Sequence, residues 1–393
     1  MKREKLLKTY EICKKKIDKS MQVRGCDDTF EYVASKTGKY NEETPGVDLY
    51  HMYNWITSFS TGLAPLMYRT EKDEKYLIWA NGFEKHYHSK IFEHSLDTMH
   101  DIGFLYSPYS VAMYQLTGAH EHREDAVKAA DELMKRFDIN GHYIDAWNRM
   151  DNDERGGRAL VDCMINIQLL FWAWNETGHT VYRDIAKAHA DTTAKYFLRD
   201  DDTIVHSMNF NRENGEVAEE NNDCGYANGT HWARGTAWFV YGMAMTARYL
   251  NDESYYNFAK RAADKYIERL NGAFIPAWDF DLPADMPAFE CGHKDNPEWD
   301  FTDPKNCVLN VDTSAAVIMV CALMEMNRFK MNKDYDEFVS DSLEKLCDDY
   351  FNTDPEVLGM ISHQNGQMTY TMFGDYFFVQ ALQERLFNTQ ICW

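Results

Sequence analysis

The chain lacks the signatures of several common chemistries. Its 393 residues contain no glycine-rich phosphate loop, no G-x-S-x-G nucleophile elbow and no H-E-x-x-H pair. Serine-triad hydrolysis and hydrolysis by zinc-bound water therefore lose most of their weight. Nine cysteines are scattered without a C-x-x-C pair, an odd number that suits a reducing cytoplasm better than a disulfide framework. No apolar run reaches membrane-spanning length. Positive charge is scarce: 41 Lys and Arg stand against 63 Asp and Glu, for a net charge of -22. The basic residues near the N-terminus, Lys2, Arg3, Lys5, Lys8 and Lys14 to Lys16, are interrupted by Glu4, Glu11 and apolar residues. That stretch reads as an amphipathic helix with no signal-peptide apolar region, and nothing here offers the clustered cations a nucleic acid needs. A cytoplasmic protein with no membrane or nucleic-acid partner is expected.

Apolar residues are abundant, at 45% of the chain with 14% aromatic, enough for a large core. They alternate in kind along the sequence. Segments 3–20, 73–90, 121–136, 180–198, 253–270 and 333–351 carry Tyr, Ala and Lys on a helical period with one wet face. Between them lie segments 48–69, 98–117, 157–178, 231–250, 312–329 and 372–387, richer in Met and Trp and apolar on most sides. Short polar links such as "ETGHTVY" and "LNDESYY" join each apolar segment to the next amphipathic one, as in antiparallel helix pairs. Six such pairs, repeating roughly every 50 to 70 residues, predict an all-α (α/α)6 barrel, one domain over 1–393, with an open helical solenoid as the alternative.

The return links are long and rich in aromatic and polar residues, for example "NGHYIDAWNRMDNDERGG". In an up-and-down ring they share one end, beside the N-termini of the inner helices, and short strands are expected within them. Long loops of this kind usually carry function. Asp101, Asp162, His231, Arg234 and Asp312 fall in the first turns of inner helices, and Trp147, His206, Trp278 and Asp279 in the loops leading to them. Such a set of carboxylates, imidazoles, indoles and a guanidinium suits carbohydrate, because aromatic faces stack on sugar rings and carboxylates perform acid/base work.

Each of these residues also has a plain structural reading. An Asp at a helix start is commonly a cap or a dipole partner. Trp55, Trp172, Trp174 and Trp238 fall at helical spacing and read individually as core, whereas Trp147 and Trp278 in loops are better sugar platforms. His51, His86, His88, His120 and His122 read as structural or surface residues, since no third ligand at zinc spacing accompanies them. The run "DNDERGG" has too few alternating oxygen ligands for a calcium loop. No metal and no cofactor is expected.

The motifs "HDIGFLYSP", "VDCMINIQLLFWA", "WARGTAWFVYG", "AFIPAWDFD" and "DTSAAVIMVCAL" occur in the order and with about the spacing of the unsaturated glucuronyl hydrolases, glycoside hydrolase family 88. The chain resembles that family from about residue 50 to residue 387. The resemblance implies an (α/α)6 barrel that removes a non-reducing-end 4,5-unsaturated uronic acid from oligosaccharides left by polysaccharide lyases. It further implies that Asp162 protonates C4 and then takes a proton from the water attacking C5, with Asp101 as the second essential aspartate. It places Trp55, Trp147, His206, Arg234 and Trp238 around the unsaturated sugar. His231 joins His206 and Arg234 as a cation available to an anionic substrate. On this reading the Asp162 pKa is expected to be raised by apolar surroundings and by Asp101, against the pull of the helix dipole.

Three departures bear on the substrate. Where the family commonly has Gln-Gly, this chain has Cys224-Gly225, ten residues before Arg234. The first inner helix reads Trp55-Ile56-Thr57-Ser58-Phe59-Ser60, with a hydroxyl in place of an aromatic. The loop in "ISHQNGQMTYTMFGDYF" is short and lacks the S-x-x-S-x-K pattern with which some members hold a sulfated aminosugar. Unsulfated fragments or another lyase product are therefore favoured over sulfated glycosaminoglycan pieces. The alternatives are the sister enzymes for unsaturated rhamnogalacturonan fragments, a sugar epimerase using paired histidines, and a non-catalytic carbohydrate-binding toroid.

Overall fold

Burial along each helix follows its composition. The computed structural model describes residues 2–24, 29–30, 33–34, 40, 47–50, 54–147, 149–152, 156–282, 311–362, 370–389 and 392–393. In order these form α1 (Lys2–Val23), α2 (Thr57–Glu71), α3 (Lys75–Asn81), α4 (Glu84–Phe92), α5 (Ile102–Tyr106), α6 (Ala112–Thr117), α7 (His120–Met134), α8 (Cys163–Asn166) and α9 (Gln168–Thr177). They continue with α10 (Thr180–Tyr196), α11 (Ala233–Leu250), α12 (Glu253–Leu270), α13 (Thr313–Phe329), α14 (Lys333–Lys345) and α15 (Met372–Phe387). Along α11, 14 of 18 residues are buried, as befits a helix packed on all sides. Along α12 only 7 of 18 are buried, and Tyr255, Ala259, Ala262, Tyr266 and Leu270 among them trace one stripe at helical spacing.

The inner helices make a ring. Helix α2 contacts α5, α5 contacts α8, α8 and α9 contact α11, α11 contacts α13, α13 contacts α15, and α15 returns to α2. The amphipathic helices α1, α3 with α4, α7, α10, α12 and α14 surround it, giving the (α/α)6 barrel. Its axis is filled by aromatic rings from four inner helices. The Trp238 ring lies 5.2 Å from Phe104 and 5.5 Å from Phe377, and Phe59 lies 5.7 Å from Phe104. This plug closes the barrel below the mouth. Among the described residues no helix is long and apolar enough to cross a membrane.

Turn chemistry separates the two ends. Short links follow the inner helices, and α9 ends on Gly178 at φ 76°, a left-handed cap that costs glycine little. The long links instead pair into strands. Arg158–Leu160, Ser207–Phe210 and Val217–Asn221 form a three-stranded antiparallel sheet. Its register sets Leu160 opposite Ser207, so the residues just past those ends, Val161 and His206, are joined by a 2.9 Å backbone hydrogen bond. The loop at 276–281 zips onto the starts of α11 and α13 through Ala233 N–H to Trp278 O (3.1 Å) and Asp312 N–H to Pro276 O (3.0 Å).

Several elements differ in detail from the sequence expectation. The segment expected at 98–117 is three pieces, because Pro108 lacks an N–H and the chain widens into a π turn over Ser107–Val111 between α5 and α6. The outer segment at 73–90 breaks near Gly82 into α3 and α4. Helix α8 starts later than its apolar segment, at Cys163 instead of 157, because residues 158–160 are spent in the sheet.

One contact makes the "HDIGF" glycine indispensable. A Cβ at Gly103 would stand 2.4 Å from both Cα and O of Asn166, so α5 and α8 meet backbone to backbone. Gly103→Ala is expected to cost about 1–3 kcal/mol and to slow turnover by displacing Asn166, measured as a lower melting temperature together with a lower kcat. An unchanged melting temperature would show that the two helices can part freely.

Candidate active site

Asp101, Asp162 and Asp312 each stand immediately before an inner helix, and they behave differently. Asp312 is a cap: its Oδ1 accepts the Ala315 N–H at 3.0 Å and the Ser314 hydroxyl at 2.5 Å. Asp101 and Asp162, the residues immediately before α5 and α8, make no side-chain capping bond. Both instead line an open cavity at the loop end of the barrel, with Trp55, Trp147, His206, Cys224 and Arg234. Capping therefore explains only Asp312.

The wall beneath Asp101 is ordered. Asn166 Oδ1 accepts the Phe104 N–H at 2.7 Å, which turns its amide so that Nδ2 donates to Asp101 Oδ1 at 3.0 Å. Asp101 is 8% exposed at its side chain and Asp162 17%. Burial, followed by the negative charge of Asp162, pushes the Asp101 carboxyl up to about 8, against the pull of the Asn166 amide and of Arg136. His100 Nε2 lies 3.4 Å from Asp101 Oδ1, and burial lowers the His100 imidazole to about 3, so it is neutral.

The sheet register brings His206 to Asp162. Its Nε2 is 3.6 Å from Asp162 Oδ2, a charge contact too long for a hydrogen bond. The Asp223 N–H donates to His206 Nδ1 at 3.0 Å. Burial disfavours the imidazolium, whereas Cys224 and Asp162 favour it and raise the His206 pKa. The amide favours the neutral tautomer with its hydrogen on Nε2, so in either state an N–H faces Asp162. His100 Nδ1, His206 Nε2 and Trp232 Nε1, on residues that line the cavity, are buried without a hydrogen-bond partner among the described residues.

Arg234 supplies the fixed positive charge. Its guanidinium lies 4.8 Å from the Trp232 ring and 5.4 Å from the Phe373 ring, with NH1 donating to Asp312 Oδ2 at 2.5 Å. Trp147 holds a left-handed backbone at φ 63°, costly for a bulky residue, and the Arg158 guanidinium lies 5.1 Å from its ring. The indole is thus held at the cavity rim and not in the core.

Not every nominated residue reaches the cavity. His231 is buried away from it: Nε2 meets Thr236 Oγ1 at 2.7 Å, its ring lies 4.9 Å from Phe280, and burial lowers it to about 3. It is a neutral strut and cannot meet an anion as a cation. Trp238 is fully buried in the axial plug one turn below Arg234. Trp278 is buried, and Asp279 is consumed by Tyr226 N–H (2.9 Å), Thr230 Oγ1 (2.7 Å) and Asp281 N–H (2.9 Å), which shape the loop that carries Cys224. The cavity adds Met99, His100, Phe104, Leu160 and Trp232, none of them among the residues expected at the site. Ser60 is not among its lining residues, and its hydroxyl accepts from Arg24. His51 and the loop at 363–369 lie outside the described residues.

No protein-family profile matches the chain. Curated relatives do. It is 30% identical over 370 residues to an unsaturated glucuronyl hydrolase of Bacillus sp. (strain GL1), covering 90% of each chain. It is also 30% identical over 341 residues to an unsaturated chondroitin disaccharide hydrolase of Streptococcus pyogenes serotype M1, covering 84% of this chain and 80% of that one. The crystal structure of an unsaturated glucuronyl hydrolase responsible for the degradation of glycosaminoglycan, from Bacillus sp. GL1, matches with a TM-score of 0.81 at 28% identity, over 99% of this chain and 98% of that one. With that likeness running through the barrel and through the wall that carries the two uncapped aspartates, the chain belongs to the unsaturated glucuronyl hydrolases, glycoside hydrolases of the (α/α)6 barrel fold.

Proposed function

We propose that the protein hydrates the C4=C5 double bond of a non-reducing-end unsaturated uronic acid, with Asp162 as the group that gives and takes the proton. The observation that carries this is the pair of uncapped aspartates on one cavity wall, opposite indoles and a guanidinium. The substrate's double bond adjoins the ring oxygen and is a vinyl ether. Protonation at C4 places the developing positive charge on C5 and the ring oxygen. Asp162 delivers that proton, drawn from the one it shares with Asp101, and as a carboxylate it receives one from the water that adds to C5. The product is a hemiketal. Its ring opens to a ketone at C5 and leaves a hemiacetal at C1, which expels the remaining sugar as an alcohol. Protons balance, and neither a metal nor a redox partner enters the scheme.

The other wall residues fit this use. Trp55, Trp147 and Trp232 offer apolar faces to the ring, and Arg234 offers a charge to the C5 carboxylate. His206 sets a positive charge or an N–H dipole 3.6 Å from Asp162, which favours its carboxylate form. Cys224 stands beside His206, where the family resemblance implies a glutamine, so one amide contact to the sugar is replaced by a sulfur. The preferred substrate is an unsulfated disaccharide or another unsaturated lyase product. Decay of the ultraviolet absorbance of the conjugated C=C–carboxylate tests the reading, using unsaturated disaccharides from chondroitin, hyaluronan and heparin. Decay is expected, faster without sulfate, and no decay on any of them overturns the proposal.

Arg234→Ala is expected to raise KM by about tenfold to a hundredfold, the size of a lost charged hydrogen bond, with a smaller change in kcat. Equal losses in kcat and kcat/KM would instead give Arg234 a role confined to the transition state.

A further inference from the structure

On the outside of the barrel, away from the cavity, α4 packs against α7 and brings three ligand types together. Glu84 and His88 are one helical turn apart on α4, and Asp125 stands opposite them on α7. One ligand atom from each of the three residues lies within 4.8 Å of the other two. The sequence offers His88 no third ligand at zinc spacing, because Asp125 comes from a different helix. We propose that Glu84, His88 and Asp125 bind a divalent transition-metal ion, zinc or a similar ion, which staples α4 to α7.

The independent sign of a ligand is Asp125. This side chain is fully buried, its Oδ1 is 2.9 Å from His88 Nδ1, and its Oδ2 has no hydrogen-bond partner among the described residues. A bare buried carboxylate oxygen is costly, and a bound cation removes that cost. His88 is 45% exposed at its side chain, which leaves the ion a path from solvent. Its ring is stacked on Phe92 at 4.5 Å and 25°, which holds its orientation. One imidazole with two carboxylates suits zinc, cobalt or manganese, whereas calcium prefers six to eight oxygen ligands. Three protein ligands leave a position for water.

The test uses the full chain, freed of metal with a chelator and titrated with zinc chloride or cobalt chloride alone. Calorimetry is expected to show one tight ion per chain, cobalt to give a visible absorption of nitrogen and oxygen coordination, and the melting temperature to rise on loading. Glu84→Gln and His88→Ala, both at partly exposed positions, are expected to weaken binding at least tenfold and to abolish the melting shift while leaving turnover unchanged. Binding that persists undiminished in both variants would be diffuse attraction to an acidic surface and would overturn the proposal. So would a wild-type chain that takes up no ion, which would leave His88 and Asp125 as a bare hydrogen-bonded pair.

Discussion

Asp162→Asn is expected to lower kcat by about three to four orders of magnitude, near the upper end for removing a general acid/base group, while KM changes little. The substitution is nearly isosteric and costs no cap, since the Asp162 side chain makes no capping bond to α8. The melting temperature should therefore hold, so that loss of turnover cannot be assigned to unfolding. The amide can neither deliver a proton to C4 nor take one from water. It also removes a negative charge from a cavity that receives an anion, so binding of the unsaturated disaccharide should be kept or improved. A further signature is electrostatic. The negative charge of Asp162 helps to raise Asp101, so in the variant the Asp101 ionisation should move down in pH. Undiminished decay of the substrate absorbance in Asp162→Asn would end the assignment, and loss of binding together with turnover would make Asp162 a ligand to the sugar rather than its proton donor.

The barrel was legible because it is written in burial. Fully apolar and one-faced helices differ in composition, as α11 and α12 do, and short and long links differ in length. What the sequence could not separate was three aspartates at equivalent helix starts. Asp312 is extended at φ -116°, ψ 93° and curls back onto Ala315, whereas Asp162 is already helical at φ -59°, ψ -27° and leaves its carboxylate free. That difference lies in backbone angles set by the sheet and the loops.

The misplacement of His231 has an equally local cause. Residues 231 and 232 lead into α11 in extended form, with Trp232 bridged to Asp279, and neighbouring side chains on such a stretch point to opposite faces. Trp232 takes the cavity face and His231 the Phe280 face. Trp238 shares the face of Arg234 but lies one turn deeper, below the floor that Phe104 makes. His100 was within reach of the sequence, since it adjoins Asp101 in "HDIGF" and a helix start presents consecutive residues to the mouth.

Asp101→Asn is expected to remove the alkaline limb of the pH–rate profile and to lower kcat by about a hundredfold. The argument rests on where the proton resides. Burial and the charge of Asp162 lift the Asp101 carboxyl to about 8, so the pair holds one proton through neutral pH and loses it above that value. Activity that draws on this proton falls as pH rises through about 8 in the wild type. In the variant that proton and its ionisation are gone. Stability gives a second readout with a definite sign. The unfolded carboxyl ionises near pH 4, so between about 4 and 8 the folded state holds more protons than the unfolded one, and stability falls as pH rises across that window. Asp101→Asn has no such ionisation, and its Oδ1 can still accept the Asn166 amide. Its melting temperature should therefore decline less than the wild type's between pH 5 and pH 8. An alkaline limb and a melting slope both unchanged in the variant would show that the proton used at C4 never depends on Asp101.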